Sequence, residues 1–413
     1  MQFVVVVPEF ATVADCYTDA DLLIRPVCGV PLLLRTLATA VRAGADDVLL
    51  VWPENAPTEV ADICMQSPLL RGTGTVRLLR AKNFDPSARS SWASVQDSFD
   101  GQFMWLPWNW VTNKQSLVRL PLVSMDSVDW SRPAFVTTNE MTRGEISTAL
   151  PHRNVEGIAV ISPETAAAAE QFLVVHSGKV LDGIHTSFNR RLCRPFVKWL
   201  SHTGITPNAV TFGGVGVSIL SAIAFAGGFY WEYVAGALLF YIAGLFDEMD
   251  GMLARIKFAD SPFGTWLEGF ADGLSYLLLF GGITIGLYRQ FGSFELWMGA
   301  VLLTGTLLSV IVTSLQRKRA TTPDRPNEYL GRFYQLLEKD SSNWISKIVR
   351  NLQHFQKRGV LIIYVVLFTV LGGLPFLFYL STLGSHLIWI LALYFNHRFF
   401  KQPATGVAGI KAV

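Results

Sequence analysis

The chain has 413 residues, of which 51% are hydrophobic and 16% are charged, and its mean hydropathy is +0.35. Soluble globular proteins carry about 25% charged residues, so this composition excludes a protein that is soluble throughout, and its regular apolar runs exclude a disordered one. The net charge of +2 argues against a strongly basic nucleic-acid-binding protein, and we expect no nucleic-acid partner. The four cysteines form no C-x-x-C pair, which argues against a disulfide framework or a zinc site.

The N-terminal part of the chain has the pattern of a soluble α/β domain. Residues 3–7 and 47–51 are short apolar runs typical of buried parallel strands, and residues 31–43 between them have helical spacing. A further amphipathic helix is predicted over 164–172. This order predicts a Rossmann-like α/β domain over residues 1–178. The chain begins directly with the first strand, not with a charged region and a long apolar stretch, so we expect no signal peptide.

Residues 25–33, followed by 42–48, are similar to nucleotidyltransferases of the sugar-nucleotide type. In that family a glycine-rich loop after the first strand holds the nucleotide phosphates. Here residues 8–15 lack the glycines and the basic residue, and Arg25 stands where the family has its catalytic lysine. The strand at 103–106 is followed by Pro-Trp-Asn-Trp, where the family has a metal-binding aspartate. The tryptophans of this stretch could form part of the core or bind a ligand. The resemblance implies a degenerate domain kept for folding, dimerisation or docking, and cytidylyltransferase activity is not expected.

Between Ile205 and Leu315, 111 residues hold only eleven charged side chains, and several windows approach the roughly 20 apolar residues that span a bilayer. We predict six membrane-spanning helices. They cover about 207–229, 232–256, 264–289, 294–315, 359–379 and 383–400. One such helix could belong to a soluble core, but six in sequence predict an all-α six-helix membrane domain over residues 179–413. The mixed basic and apolar segment 182–202 is predicted to lie on the membrane surface.

Positive charge sets the predicted orientation of these spans. The segment before the first span is basic, and the connection 316–358 carries ten Lys and Arg against four Asp and Glu. The loops near residues 230, 290 and 381 are short and poor in positive charge. By the positive-inside tendency the basic segments are cytoplasmic. We therefore expect a multi-pass protein of the cell membrane with its N-terminal domain and its C-terminus in the cytoplasm.

Eight of the eleven charged residues fall between Asp247 and Asp272, and ionisable residues in membrane segments are functional candidates by default. Asp247 and Asp250 share one face of a helix at i,i+3, and Glu268 and Asp272 share a face of the next helix at i,i+4. A short turn makes these helices antiparallel, so the two acidic faces can meet. Four converging carboxylates repel one another unless cations lie between them, and their oxygens suit Mg²⁺ bridging to phosphate. An ion or proton pathway is the alternative.

Small and cationic residues accompany this acidic cluster. Gly251, Ala254 and Gly264 leave the helix surfaces bare for a bulky ligand, although small residues also serve close helix packing. Arg255 supplies a permanently charged guanidinium for phosphate. The pattern D-x-x-D-G-x-x-A-R-x8-G-x3-E-x3-D resembles the signature of the CDP-alcohol phosphotransferases, six-helix membrane enzymes that displace CMP from a CDP-alcohol with a second alcohol. The family has its third aspartate where this chain has Glu268.

The resemblance extends to the start of the first predicted span and to the segment before it. Residues 206–208 and Thr211 are similar to a cytidine-contacting element of the family, although a threonine followed by proline is also simply a good helix start. Residues 179–183 and 189–190 resemble the juxtamembrane segment of those members that carry a cytoplasmic nucleotidyltransferase domain. The resemblance covers about 179–400.

The resemblance implies a role for each residue of the motif. The implied ligands of Mg²⁺, or of Mn²⁺ in its place, are Asp247, Asp250, Glu268 and Asp272. The implied contacts of the CDP-alcohol are Pro207, Asn208, Thr211, Gly251, Ala254, Arg255 and Gly264. Asp272 is also the position of the general base, which accepts the proton of the incoming hydroxyl during in-line attack with CMP as the leaving group. Glu268 keeps the charge but moves its oxygens outward by one methylene, and we expect metal binding to be retained.

The expected partners are a CDP-alcohol donor, an alcohol or polyol-phosphate acceptor, membrane lipids and a second copy of the chain, since the family precedent is a homodimer. The basic residues at 317–319 could contact an acceptor phosphate or only anchor the cytoplasmic side. The expected pathway is phospholipid or polyol-phosphodiester biosynthesis. Two alternatives stay open: a catalytically impaired relative that binds or scaffolds, and an ion-coupled membrane transporter.

Overall fold

The computed structural model describes most of the chain as helix, with an α/β sheet region on the N-terminal side. The described residues are 1–8, 19–54, 56, 58–70, 74–93, 95, 98, 101–117, 120, 122–124, 128–137, 156–178, 184–320, 329–340, 343–352 and 358–399. Residues 9–15 and 179–183, which carry parts of the two resemblances, lie outside them.

The chain divides into two compact units. The first unit contains Met1–Lys179, Arg194–Gly204 and Met252–Ala259. The second unit contains Val180–Cys193, Ile205–Gly251 and Asp260–Val413.

The first unit is built on a six-stranded sheet. Its strands and those of two small ribbons are β1 (Gln2–Val6), β2 (Pro26–Val27), β3 (Val30–Pro31), β4 (Asp47–Pro53), β5 (Thr75–Ala81), β6 (Gln102–Trp105), β7 (Trp110–Thr112), β8 (Leu122–Ser124), β9 (Ala134–Thr137) and β10 (Gly157–Ala159). The sheet order is β5-β4-β1-β6-β9-β8, with β1, β4, β5 and β6 parallel and β9 antiparallel to β6. The ribbons pair β2 with β3 and β7 with β10. Parallel strands buried on both faces explain the continuous apolar runs of β1 and β4.

Short helices connect these strands and cover the sheet. They are α1 (Asp19–Ile24), α2 (Leu32–Arg42), α3 (Glu59–Met65), α4 (Arg89–Ala93), α5 (Lys114–Leu117) and α6 (Pro163–His176), with a 3₁₀ turn at Pro68–Leu70. α2 is the helix predicted between the first two strands, and it buries ten of its eleven residues. The predicted strand–helix–strand order is therefore confirmed.

The tryptophans of the N-terminal region belong to the core. Trp105 is buried on one face of the sheet, where its Nε1 donates to the carbonyl of Trp130 at 3.0 Å. Trp92 stacks between Phe103 and Trp130, with ring centroids 4.8 and 5.3 Å away. Trp108 and Trp110 are 8% exposed each and pack into the cluster on the other face. Of the two interpretations of the tryptophan stretch, the structure supports the core.

Long helices dominate the rest of the chain. They are α7 (Ile184–Ser201), α8 (Pro207–Gly227), α9 (Tyr230–Ile256), α10 (Pro262–Phe291), α11 (Ser293–Ala320), α12 (Tyr329–Lys339), α13 (Trp344–Leu352), α14 (Arg358–Val370) and α15 (Leu374–Phe399). Among the described residues, α8, α10, α11 and α15 are long and apolar enough to cross a membrane. α9 carries acidic residues, and α14 has only 13 residues, so neither reaches that combination of length and apolarity. The chain is a membrane protein, and its described residues contain four such helices.

The boundary between the last two predicted spans is wrong. The sequence predicts a loop near residue 381, but α15 runs through that position without a break. The chain turns instead at Gly372, which adopts φ +73° and donates its N–H to the carbonyl of Thr369 at 3.1 Å. A glycine in the left-handed conformation is a common helix end, and the Gly-Gly-Leu-Pro sequence that begins at Gly372 was the pattern that marked it.

α8 and α10 approach each other closely in the second unit. The hydroxyls of Ser218 and Ser275 lie 3.0 Å apart and are buried. A Cβ built on Gly282 would lie 2.5 Å from the carbonyl oxygen of Ala222 and 2.8 Å from its Cα. Glycine at this crossing is therefore a packing requirement.

We expect Gly282→Ala to destabilise the purified protein by about 1–3 kcal/mol, because the backbone of Ala222 must move to make room. Gly281→Ala is the matched control, since no heavy atom lies within 4 Å of a Cβ built there. Thermal unfolding in detergent measures both variants. Equal unfolding midpoints for the two would contradict the close crossing.

Candidate active site

The helices that carry the predicted site begin with the same capping arrangement. Thr206 caps α8, and its hydroxyl accepts from the N–H of Ala209 at 3.2 Å. Ser261 caps α10, and its hydroxyl accepts from the N–H of Gly264 at 2.9 Å. A proline follows each cap, at Pro207 and Pro262, where its missing N–H removes no helical bond. The predicted helix start at Thr206 is confirmed, and both caps fix the first turns that carry site residues.

Two predicted CDP-alcohol contacts meet where these helices begin. A Cβ built on Gly264 would lie 3.3 Å from Oδ1 of Asn208 and 3.1 Å from Oγ of Ser261. A larger residue at 264 would press on the side chain of Asn208. The bare surface predicted at Gly264 is therefore next to a polar side chain from α8.

Asp250 is the most buried of the four predicted carboxylates, with 4% of its surface exposed. Its Oδ2 accepts a 2.5 Å hydrogen bond from Oγ1 of Thr211, which is 8% exposed. A buried carboxyl group is costly unless it is hydrogen-bonded, and the Thr211 hydroxyl satisfies one of its oxygens. Asp247 and Glu268 both lie close enough to Asp250 to act on its charge. Asp247 on α9 and Glu268 on α10 are thus electrostatic neighbours of one buried acid.

α9 and α10 run in opposite directions, as the sequence predicts. A Cβ built on Gly286, near the end of α10, would lie 2.7 Å from the ring of Tyr233, near the start of α9. At their other ends Asp250 and Glu268 are electrostatic neighbours. Asp272 is half-buried and lies one turn beyond Glu268 on α10. Its predicted role as general base stays a prediction.

The four predicted carboxylates are not arranged around a common position for a cation. In the part of the chain that the structure describes, no group of three or more His, Cys, Asp or Glu side chains is arranged to hold a metal ion. The donor chemistry nevertheless suits a hard divalent cation, because the acidic side chains of α9 and α10 offer only oxygen. The four-carboxylate metal site therefore stays a prediction.

Arg255 lies on α9 five residues beyond Asp250, and Gly251 and Ala254 lie between them. In the first unit its Nε donates to the carbonyl of Ser177, just after α6. The motif predicts a phosphate contact for this guanidinium and no protein contact. The phosphate contact stays a prediction.

The structure also shows contacts that sequence reasoning missed. In the second unit, Oδ1 of Asn189 accepts from the hydroxyl of Tyr241 at 2.9 Å, and Arg190 pairs with Glu248 at 3.4 Å. Both bonds join the first half of α7 to α9, and Glu248 follows Asp247 directly. The resemblance at 189–190 marked these residues but did not identify their partners.

Arg317 near the end of α11 lies beside the acidic helix α10. Its Nη1 is 3.8 Å from a Cβ built on Gly269, the residue after Glu268. Of the basic residues at 317–319, this one is therefore near the predicted site.

We expect Thr211→Val to lower catalytic activity by about 5- to 150-fold, because a buried acceptor that loses its hydrogen bond costs about 1–3 kcal/mol. Thr211→Ser keeps the hydroxyl and is expected to keep most of the activity. Steady-state rates of the two variants check this. A Thr211→Val variant as active as Thr211→Ser would show that the bond to Asp250 does not matter.

Comparison with known proteins finds a family-model match and several relatives for this part of the chain. Residues 204–391 match the family model described as CDP-alcohol phosphatidyltransferase, and this range contains every predicted site residue. The phosphatidylinositol phosphate synthase of Mycobacteroides abscessus is 25% identical over 127 residues, which are 30% of this chain and 53% of that protein. The bifunctional IPC transferase and DIPP synthase of Aquifex aeolicus is 25% identical over 237 residues, which are 57% of this chain and 49% of that protein.

The chain spans about half the length of these curated relatives. Among solved structures, the phosphatidylinositol phosphate synthase of Mycobacterium tuberculosis with CDP-DAG bound is 18% identical. That match has a TM-score of 0.32 and covers 55% of this chain and 99% of the other.

Proposed function

We propose that residues 204–391, which match the family model described as CDP-alcohol phosphatidyltransferase, form a domain of that family. The protein would then transfer a phosphoalcohol group from a CDP-alcohol to a second alcohol and release CMP. The observation that carries the proposal is Asp250, a buried acid of the family motif that is held by Thr211 and flanked by Asp247 and Glu268. An acid buried in a membrane protein is costly, so a functional role is its default explanation.

We propose Mg²⁺, or Mn²⁺ in its place, as the cofactor. The oxygen-only donor set of α9 and α10 fits either ion. The proposed ligands are Asp247, Asp250, Glu268 and Asp272. A bound metal would neutralise negative charge on the diphosphate and on the departing CMP.

The side chains of the site then have separate tasks in the reaction. Thr211 holds Asp250 in one orientation through its hydroxyl. Asp272 accepts the proton of the incoming hydroxyl, which makes its oxygen nucleophilic towards the phosphorus. Arg255 binds the diphosphate of the donor, and the bare surface at Gly264 admits it beside Asn208.

The names of the relatives support a choice of substrates. The relative from Mycobacteroides abscessus is a phosphatidylinositol phosphate synthase, and we therefore propose a lipid CDP-alcohol as donor and a phosphorylated polyol as acceptor. Arg317 beside Gly269 is suited to the acceptor phosphate. The product would belong to phospholipid or polyol-phosphodiester biosynthesis.

We also propose the finer architecture that accompanies this function. α9 and α14 would complete a six-helix membrane domain over 179–413, and the sheet of residues 1–178 would be Rossmann-like. Both termini would be cytoplasmic in a multi-pass protein of the cell membrane, because the basic segments favour that side. The chain would work as a homodimer among membrane lipids.

The test of the function uses the purified full-length protein in liposomes with Mg²⁺. CDP-diacylglycerol is supplied with inositol phosphate, glycerol phosphate or no acceptor, and CMP release is measured with and without EDTA. Release that needs the donor, the metal and one acceptor supports the proposal. Thermal stabilisation by the donor without turnover would instead indicate a catalytically impaired binding protein, and ion flux without CMP release would indicate a transporter.

A further inference from the structure

We propose that the α/β domain holds the end of α9 through Phe258, and thereby positions Arg255. The contact is made by Arg35 and Arg42 of α2, and we call these three residues the Phe258 anchor. All three belong to the first unit. The anchor gives the α/β domain a task that needs no nucleotide site.

The backbone of Phe258 is strained. The residue has φ +55°, which is rare for a bulky side chain, at a position after a helix where glycine is usual. The turn is closed by the N–H of Ala259, which donates to the carbonyl of Ala254 at 2.9 Å, and by Lys257, which donates to Leu253 at 2.9 Å. Strain of this kind persists only where surrounding contacts impose it. The contacts that hold Phe258 should therefore be identifiable.

The first contact is with a buried cation. The guanidinium of Arg35 lies 5.1 Å from the centre of the Phe258 ring, a cation–π geometry. Arg35 is 2% exposed, and its Nε and Nη2 both donate to the carbonyl of Val27, at 3.1 and 2.8 Å. Burial lowers the pKa of Arg35 to about 10, so the side chain is still a cation at neutral pH. A fully buried arginine needs such partners, and the ring of Phe258 is one of them.

The second contact is with the backbone of Phe258. Nη2 of Arg42 donates to the carbonyl of Phe258 at 2.9 Å. Arg35 and Arg42 are seven residues apart, which places them on the same face of α2, two turns apart. One face of α2 therefore binds both the ring and the carbonyl of the strained residue.

The hairpin before α2 is packed in the same unit. A Cβ on Gly29, between β2 and β3, would collide with the carbonyl oxygen of Ser201 in α7. Glu170 of α6 pairs with His202 at 3.2 Å and with Lys198 at 3.6 Å. The hairpin at Gly29 and the helix α6 thus both contact residues within 194–204 in the first unit.

The consequence for catalysis rests on the proposed function. Arg255 precedes Phe258 by three residues, less than one helical turn, and its Nε also donates to Ser177 of the α/β domain. A loosened helix end would let the guanidinium move. Because Arg255 is the proposed contact of the donor diphosphate, its displacement would weaken binding of the CDP-alcohol.

The first experiment measures backbone hydrogen exchange at Lys257 and Ala259 in the purified full-length protein. Arg42→Ala and Phe258→Leu are each expected to raise the exchange rate about fivefold or more, because local opening of the turn becomes easier. Arg80→Ala, an exposed arginine on β5, and Phe258→Tyr, which keeps the ring, should stay at the wild-type rate. Wild-type exchange in both Arg42→Ala and Phe258→Leu would overturn the proposal.

The Arg42→Ala variant keeps the experiment interpretable if Phe258→Leu does not fold. Arg42 is only half-buried, so its truncation does not open the core. If Phe258→Leu unfolds the domain, which faster exchange throughout α2 would reveal, the result for Arg42→Ala decides alone.

The second experiment measures kinetics. The KM for the CDP-alcohol is expected to rise about tenfold in Arg42→Ala, a change of 1.4 kcal/mol, while the KM for the acceptor stays unchanged. Arg80→Ala should match the wild type. A fall in kcat of Arg42→Ala with an unchanged KM for the donor would overturn the proposal that the anchor positions Arg255. If the wild type releases no CMP, the proposed function fails, but the exchange comparison still tests the anchor.

Discussion

Asp272→Asn is expected to lower Mg²⁺-dependent CMP release by about 10²–10⁴-fold, because an amide cannot accept the proton of the attacking hydroxyl. Asp250→Asn is expected to be at least as damaging, since its carboxylate would hold the metal and the bond from Thr211 would lose its charged acceptor. Rates with saturating donor and acceptor measure both effects.

Asp260→Asn is the matched control for these two variants. Asp260 is an exposed acid in the turn before α10, outside the motif, and its loss should leave the rate unchanged. Unfolding temperatures close to that of the wild type would show that the motif variants are folded. Full activity of either Asp272→Asn or Asp250→Asn would remove the basis of the proposed mechanism.

Glu268→Gln is expected to lower activity by about a hundredfold or more, because it replaces a charged ligand, and metal charge stabilisation is worth several kcal/mol. Glu268→Asp restores the residue that the family signature has at this position and should keep activity within about tenfold of the wild type. The dependence of the rate on Mg²⁺ concentration separates lost metal affinity from lost turnover.

The two Glu268 variants also test whether this chain has lost catalytic activity. Equal activity of the wild type and Glu268→Gln would show that the side chain is not a ligand. A Glu268→Asp variant that gains activity from an inactive wild type would support the alternative of a catalytically impaired relative.

Much of the candidate site was predictable because its spacing is local. Helical periodicity alone places Asp247 beside Asp250 and Glu268 beside Asp272. The antiparallel arrangement of α9 and α10 follows from the short turn between them. The match of 204–391 to the CDP-alcohol phosphatidyltransferase model confirms the resemblance that this motif predicted.

The partners of these residues were not predictable in the same way. Thr211 lies 39 residues from Asp250. The family resemblance implies a contact of Thr211 with the nucleotide and none with this carboxylate. Arg42 lies 216 residues from Phe258, and no pattern linked them. Contacts between such distant segments depend on how whole helices pack, which periodicity does not describe.

The sequence by itself determined the elements of this protein and its acidic motif. The periodicity of apolar residues and the pattern of helix-capping residues are local properties of the chain. β1, α2 and the start of α8 could therefore be predicted from residues a few positions apart. The tertiary structure alone decided which distant side chains meet. It formed the hydrogen bond from Thr211 to Asp250 and the contacts of Arg35 and Arg42 with the strained Phe258. Local sequence is compatible with many such contacts, and burial and close packing select among them.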